Sequence, residues 1–311
     1  MLVVAALGGN ALLKRGEKLS AENQRASVKT AAAALAAIVR SGHRLVVTHG
    51  NGPQVGLLAL QAASGPADNQ YPLDVLGAES EGMIGYLIEQ ELRNALPEQK
   101  LFATLLTQSL VDPSDPAFRK PTKPIGPVYD EATARALGQE RGWAVAQDGA
   151  YWRRVVPSPR PIAILEAAEI AMLIEQGVVV TCAGGGGIPV VRDQSGMLKG
   201  IEAVVDKDLA SALLAGVLKA DTLLLLTDVD AVYVDYASGR ARAMLRTSPA
   251  LLAKQSFPSG SMGPKVDAAA DFVKATGGSA AIGRLEDALR LVSGEAGTQI
   301  DIGTSNTVYR P

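Results

Sequence analysis

Histidine and cysteine are nearly missing from this chain of 311 residues, which has only His43, His49 and Cys182. A single cysteine excludes an intrachain disulfide and fits the reducing cytosol, so a cytoplasmic protein is expected. Two histidines leave little for a zinc site or a catalytic triad. Neither sign of charge dominates, and a net charge of −2 makes no electrostatic case for nucleic acid or an acidic membrane. No apolar run approaches the roughly 18 residues that a membrane helix needs. The opening Met1-Leu-Val-Val-Ala-Ala-Leu-Gly-Gly9 lacks the basic segment of a signal peptide. No Gly-x-x-x-x-Gly-Lys-Ser/Thr loop occurs, which removes the P-loop class. The chemistry must then lie in lysine, aspartate and backbone amides.

What is present is a soluble globular composition, 47% hydrophobic and 20% charged, long enough to bury a large core and to split into two lobes. The chain is organised around residues 45–56. Leu45, Val46 and Val47 read as a buried parallel strand, Gly50-Asn51-Gly52 as a turn, and Val55, Leu57, Leu58 and Leu60 as the face of a helix. A strand passing through glycines into a helix points bare N–H groups at an anion, with no Cβ in the way. The device recurs at Gly8-Gly9-Asn10 and at Gly184–Gly187, so three turns build one anion site from several strand ends. Gly50-x-Gly-x-x-x-Gly56 has one residue too many for a dinucleotide fingerprint, and it follows the second strand rather than the first.

Elsewhere, Leu2–Leu7 reads as the first strand and Ser20 as the cap of a helix carrying Val28, Ala32, Leu35 and Val39 on one face. Pro72 opens a helix running to about Leu96. Strands are expected at 101–107, 178–182, 222–227, 279–282 and 298–302. Helices are expected at 161–176, 206–219 and from about Val266 to Ala275, with a hairpin turn at Asp193–Gly196. The alternation predicts a parallel sheet with helices on both faces. Residues 112–161 hold eight of the 17 prolines and both tryptophans, Trp143 and Trp152, and read as an inserted subdomain. There is no internal repeat.

Three lysines stand out, each with an ordinary alternative. Lys207, between Asp206 and Asp208 at a helix entry, could be a solvated lysine between acids that complement the helix dipole. Lys265, after Gly263-Pro264, could be a surface lysine at a helix start, though a cation there opposes the dipole. Lys123, in a stretch with proline on both sides of Thr122-Lys123, is held in a set direction or simply sits on a rigid loop. Phosphoryl transfer suits the set, because it is catalysed mostly by placement and charge stabilisation. Metal would come with the nucleotide. His49 could line the site or play a structural role; His43 reads as surface and Cys182 as core. Arg153 and Arg154 could bind phosphate or pair with acids of the insertion, and Trp152 reads as packing.

These motifs together resemble the carbamate kinases, within the amino acid kinase group. The resemblance spans almost the whole chain and rests on Ala6–Leu12, His49–Gly56, Pro72-Leu-Asp-Val with Gly82–Tyr86, Thr122–Pro127, Trp152–Pro159, Asp206–Ser211 and Gly260–Lys265. It implies an open, mostly parallel αβα sandwich. An N-terminal lobe (1–176, with 112–161 as a protruding lid) would take carbamate or carbamoyl phosphate, and a C-terminal lobe (177–311) would take ATP or ADP with its Mg²⁺. A homodimer is implied. Gly8, Gly9, Asn10, Gly50, Asn51 and Gly52 would surround the substrate. Lys123, Lys207 and Lys265 would act on the phosphates, with Asp208 orienting lysines. Thr227, Asp228, Tyr233, Met262 and Gly263 would border the nucleotide.

Other members of that group carry a lysine on the first strand, and Val3-Val4-Ala5-Ala6-Leu7 has none. In carbamate kinases the lysine of the inserted subdomain stands in for it, and Lys123 is present. Glu81 departs from the glutamine frequent in such relatives. Two other readings are a different acid kinase of the same fold and a nucleotide-binding regulator without turnover. The missing first-strand lysine argues against the first, and the retained Lys123, Lys207, Asp208 and Lys265 against the second.

Overall fold

Leu2–Leu7 has no polar side chain and needs cover on both faces, and all six residues are buried. A computed structural model of the chain describes residues 1–12, 17, 20–64, 71–99, 101–235, 241–258 and 262–310, with the backbone alone at Asn10. It runs β1 (Leu2–Leu7), α1 (Gly9–Leu12), α2 (Ala21–Arg40), β2 (Arg44–His49), α3 (Gly52–Ser64), α4 (Leu73–Ala95), β3 (Phe102–Thr104) and β4 (Gln108–Val111). Next come β5 (Lys123–Tyr129), α5 (Glu131–Arg141), β6 (Val145–Asp148), β7 (Tyr151–Val156), β8 (Pro161–Ile164), α6 (Ala167–Glu175), β9 (Val179–Thr181), β10 (Ile188–Arg192) and β11 (Leu198–Gly200). Then follow α7 (Lys207–Val217), β12 (Thr222–Thr227), β13 (Val232–Val234), β14 (Arg242–Thr247) and α8 (Pro249–Leu252). The chain closes with α9 (Met262–Thr276), β15 (Ser279–Arg284), α10 (Ala288–Val292), β16 (Thr298–Ile300) and β17 (Val308–Tyr309).

The main sheet has ten strands in the order β13-β14-β16-β15-β12-β1-β2-β9-β3, with β17 on β14. From β15 across to β3 its pairs are parallel, and antiparallel pairing is confined to the β13–β17 end. Successive side chains of a strand point to opposite faces. Val3, Ala5 and Leu7 therefore pack with Val28, Leu35 and Ile38 of α2 and Ile84 and Ile88 of α4. Leu2, Val4 and Ala6 pack with Ile170 of α6, Leu214 of α7 and Phe272 of α9. The result is the expected αβα sandwich. Ser20 caps α2 by accepting from Asn23 N, and the hairpin turn at Asp193–Gly196 joins β10 to β11.

Several expectations need correcting. Residues 161–176 are not one helix: Pro161–Ile164 is a strand on β4, and the helix starts at Ala167. β8 is the edge of a four-stranded sheet ordered β11-β10-β4-β8, where the missing N–H of a proline does no harm. Residues 101–107 contain only three residues of strand, since the chain leaves β3 to join that second sheet as β4. In α3 the buried face is Gln54, Val55, Gly56 and Ala59, while Leu57 is exposed. α9 begins at Met262, before Val266, because a proline in the first helical turn lacks only a donor that has no partner there. β9 pairs with β2 and β3 in the main sheet, while β10 pairs with β4 and β11 in the second sheet.

Within the stretch 112–161, β5, β7 and β6 form a third sheet of their own, carrying α5. Trp152 lies under the Arg135 guanidinium at 4.8 Å and Trp143 under Arg154 at 4.7 Å, so both rings pack within this unit. The unit meets the body where Gly56 of α3 lies against Gly126 of β5, whose φ is +72°. A methyl at Gly56 would fall 1.9 Å from Gly126 Cα. Gly56→Ala should therefore cost about 1–3 kcal/mol through overpacking. Gly77→Ala in α4, with nothing within 4 Å of the added methyl, should be neutral or stabilising by up to about 1 kcal/mol. Urea midpoints measure both, and equal values for the two variants would refute the backbone contact.

Candidate active site

The parallel register brings strand ends level: Leu7 pairs with His49 on one side and with Leu226 on the other, and Val47 with Thr181. Each of β1, β2 and β9 then runs into one of the three glycine turns. β1 is also where the chain order reverses, with β2 to one side and β12 to the other, the position at which open parallel sheets bind ligands. Gly8 N donates to Leu226 O at 3.0 Å, and a methyl on Gly8 would press on that oxygen at 2.8 Å. A methyl on Gly50 would lie 3.6 Å from Gly9 N, and one on Gly185 would overlap the Asn51 carboxamide. The three turns are thus one surface.

That surface is the floor of a cleft of about 640 Å³, and the lysines form its walls. Asp206 caps α7, its Oδ1 accepting from Asp208 N at 2.9 Å and Leu209 N at 3.4 Å, and this sets Lys207 in the first turn at the cleft. Thr48 and Ser211 hydroxyls meet at 2.6 Å and tie the helix to β2. Lys207 is only 9% exposed, which rules out the solvated reading; burial pushes its ammonium pKa down, and the Asp208 charge opposes that. Asp208 accepts from Lys207 on Oδ1 and from Lys265 on Oδ2 at 3.0 Å. Burial works against its ionisation, but the two ammonium groups win and hold the carboxyl well below its ordinary range. Lys265 comes from the first turn of α9 and is not a surface lysine. Lys123 begins β5 and pairs with Asp206 Oδ2 at 2.5 Å, so Asp206 too stays ionised below its usual range despite burial.

Five cationic side chains, Lys123, Arg153, Arg160, Lys207 and Lys265, line the cleft against three carboxylates, Asp206, Asp208 and Asp267. The N-termini of α3, α7 and α9 abut it and add to the positive potential. Such an arrangement receives a multiply charged anion.

Of the residues expected from sequence, Gly9, Gly50, Asn51, Gly52, Lys123, Lys207, Asp208 and Lys265 line this cleft. Gly8 lies just beneath it, beside Thr227. Asp228, Tyr233 and Met262 are not part of its lining, and Gly263 lines a neighbouring cavity of about 540 Å³ that shares Pro264, Asp267 and Arg160 with it. The Asn10 side chain, Gly260 and Ser261 lie outside the described residues. Arg153 reaches the cleft and also pairs with Asp148 of the inserted unit at 3.2 Å. Arg160, which also pairs with Asp271 at 2.6 Å, had no signal in the sequence. Ser80 did have one: it falls in the apolar stripe of α4 with Leu73, Leu76, Ile84 and Leu87, and its hydroxyl accepts from Asn51 Nδ2 at 2.8 Å.

Beneath the floor lie groups with no outlet to the cleft. Cys182 is buried, and burial pushes its thiol pKa up. His49 is fully buried, and burial pushes it down to about 4, so the ring is neutral near pH 7. His43, at the far end of β2 from the floor, is half-buried rather than on the surface. Glu81 accepts from Gly184 N at 2.8 Å and Thr107 N at 3.3 Å, and burial pushes its carboxyl up to about 8 in spite of both bonds.

A mostly parallel αβα sandwich with a lysine-walled cleft over glycine turns defines a class. The sequence model of the amino acid kinase family matches residues 1–283, and the chain belongs to that family. Within it, the chain is 54% identical to a carbamate kinase of Rhizobium meliloti, over 99% of this chain and 96% of the relative. It is 53% identical to one of Haemophilus influenzae, over 99% of each. Among solved structures, carbamate kinase from Giardia lamblia bound to AMP-PNP superposes with a TM-score of 0.87 at 41% identity, covering 97% of this chain and 98% of that one.

The Glu81 carboxyl has a pH signature. Its folded pKa lies above the ordinary 4.5, so between 4.5 and about 8 the folded state holds a proton that the unfolded chain has lost. This contribution to stability is complete below 4.5 and lost as pH rises to about 8. Glu81→Gln removes the titration. The midpoint of thermal unfolding of the variant relative to wild type should therefore rise between pH 5.5 and pH 8.5; a constant difference would disprove the assignment.

Proposed function

We infer that this protein catalyses the carbamate kinase reaction, reversible phosphoryl transfer between ATP and carbamate that links carbamoyl phosphate plus ADP to carbamate plus ATP. The observation that carries this reading is the convergence of Lys123, Lys207 and Lys265 over the glycine turns, in a chain about half identical to carbamate kinases along its whole length. Carbamate is already an oxyanion, so the attacking oxygen needs no general base, and a cleft without histidine is adequate. The transferred group spreads charge over its equatorial oxygens in the transition state, and fixed ammonium and N–H groups stabilise that charge without reorganising.

In this reading the Gly8–Asn10 and Gly50–Gly52 turns hold carbamate, Lys207 and Lys265 hold the phosphates, and Asp208 keeps both lysines in place. Thr227, Asp228, Tyr233, Met262 and Gly263 border the nucleotide. Mg²⁺ arrives as part of the nucleotide substrate; no cluster of three or more His, Cys, Asp or Glu able to hold an ion occurs among the described residues. Residues 1–176 form the carbamate side and residues 177–311 the nucleotide side. The inserted stretch 112–161 acts as a lid that closes over the cleft, excludes water and brings Lys123 onto the phosphoryl group. A homodimer in the cytoplasm completes the reading: β3 is a free edge of the main sheet, and Met83, Tyr86 and Leu106 beside it are exposed. No described helix is long and apolar enough to cross a membrane.

The deciding experiment is ATP formation from ADP and carbamoyl phosphate by the purified protein, and its absence would end the proposal. Lys207→Ala should lower kcat by at least about a hundredfold, with the thermal midpoint near wild type because Asp208 keeps Lys265 as partner. Wild-type turnover in that variant at saturating substrate would remove Lys207 from the mechanism.

A further inference from the structure

The carboxamide of Asn51 is held in one orientation by a chain of hydrogen bonds whose direction can be read from its far end. Gly77 O is a carbonyl and can only accept; Ser80 Oγ lies 2.8 Å from it and donates its single proton there. What Ser80 then offers Asn51 is a lone pair, and Asn51 Nδ2 donates into it at 2.8 Å. Ser80 is 0% exposed, so no water can take its place. Gly185 clamps the amide from the side: a methyl there would lie 2.1 Å from Nδ2, 2.3 Å from Cγ and 2.5 Å from Oδ1, so the flat face of the carboxamide rests on bare backbone. With its nitrogen committed inward, the oxygen is the end left for the cleft that Asn51 lines. Among the described residues no donor is hydrogen-bonded to Oδ1, and it is not among the buried polar atoms lacking a partner.

We infer that Ser80 is a positioning residue that sets substrate choice: by turning Asn51 so that Oδ1 faces the cleft, it favours an acid with N–H groups on its carboxyl carbon over the same planar shape carrying a methyl. The inference rests on the carbamate reading above and deepens it. Carbamate and acetate differ at that one position, NH₂ against CH₃. An amide oxygen facing the cleft accepts from the first and is left desolvated and unpaired by the second. Were the amide reversed, its NH₂ would oppose the NH₂ of the substrate, and the preference would weaken. Ser80 lies behind Asn51 and touches no substrate, so its effect must pass through that side chain.

The test is ATP formation from ADP with carbamoyl phosphate or acetyl phosphate as donor, read as the ratio of the two kcat/KM values. Wild type should favour carbamoyl phosphate, and Ser80→Ala, which frees the amide to turn, should reduce the ratio about tenfold, with KM for ADP unchanged. In an Asn51→Ala background the same substitution should leave the ratio where Asn51→Ala alone puts it. An unchanged ratio in Ser80→Ala, or an equal fall in the Asn51→Ala background, would overturn the inference. If Ser80→Ala does not fold, Ser80→Cys keeps the volume with a much weaker acceptor and carries the same test. The two levels fail separately: a wild-type protein inactive with carbamoyl phosphate sinks the functional reading, whereas an active one indifferent to Ser80 sinks only this inference.

Discussion

Two aspartates holding three lysines at one helix end are the constraint on which the rest of the structure depends. An ammonium group taken out of water must be paired or lose its proton. Lys207 is nearly out of reach of solvent, Lys265 is close to it, and both lean on the single carboxylate of Asp208. At an effective dielectric of about 20, unit charges ~4 Å apart interact by ~4 kcal/mol, enough to keep the group ionised. The pairing is deliberately incomplete in charge: with Lys123 on Asp206, three cations share two anions. The surplus leaves this part of the cleft positive without any carboxylate having to leave.

Surplus charge alone would attract any anion to the rim; bringing one to bonding distance requires backbone without side chains. Three parallel strands end level, and each is followed by glycine. The Gly184–Gly187 turn is the most demanding, with φ of +65°, +91° and +84° at Gly185, Gly186 and Gly187. Such a turn needs support from below, and it receives it: Ser109 Oγ donates to Gly186 O at 2.6 Å and Glu81 accepts from Gly184 N. Ser80 and Glu81, on the buried face of α4, are thus scaffolding for the floor of the cleft.

The sequence showed the sheet well, because apolar runs such as Leu2–Leu7 and Thr222–Thr227 leave little else to form, and capped helices announce themselves through Ser20 and Asp206. It failed where a local signal has two meanings. Proline at 161 suggested a helix start, yet an edge strand tolerates it equally. Leu57 matched a helical apolar face, but α3 is turned by the close approach of Gly56 to Gly126, a contact between segments 70 residues apart in sequence. The burial of Lys207 was illegible for the same reason, since it arises from β2 and α9, both remote in the chain. The lysine and glycine positions themselves could be named from motif order.

Burial has a further consequence for the field in the cleft. An ionised Glu81 directly under Gly184 would oppose any anion resting on the turn above. With its carboxyl pushed up to about 8, the group is mostly neutral at pH 7, and His49 beside the same turn is neutral because burial pushes it down to about 4. Glu81 and His49 thereby drop out of the electrostatics, and the potential at the turns is that of the lysines, the helix N-termini and the N–H groups. A glutamine at position 81 would be neutral at every pH and leave the same field. Glutamate is compatible with the site only because desolvation removes its charge, and it should become a liability in alkaline conditions where glutamine would not.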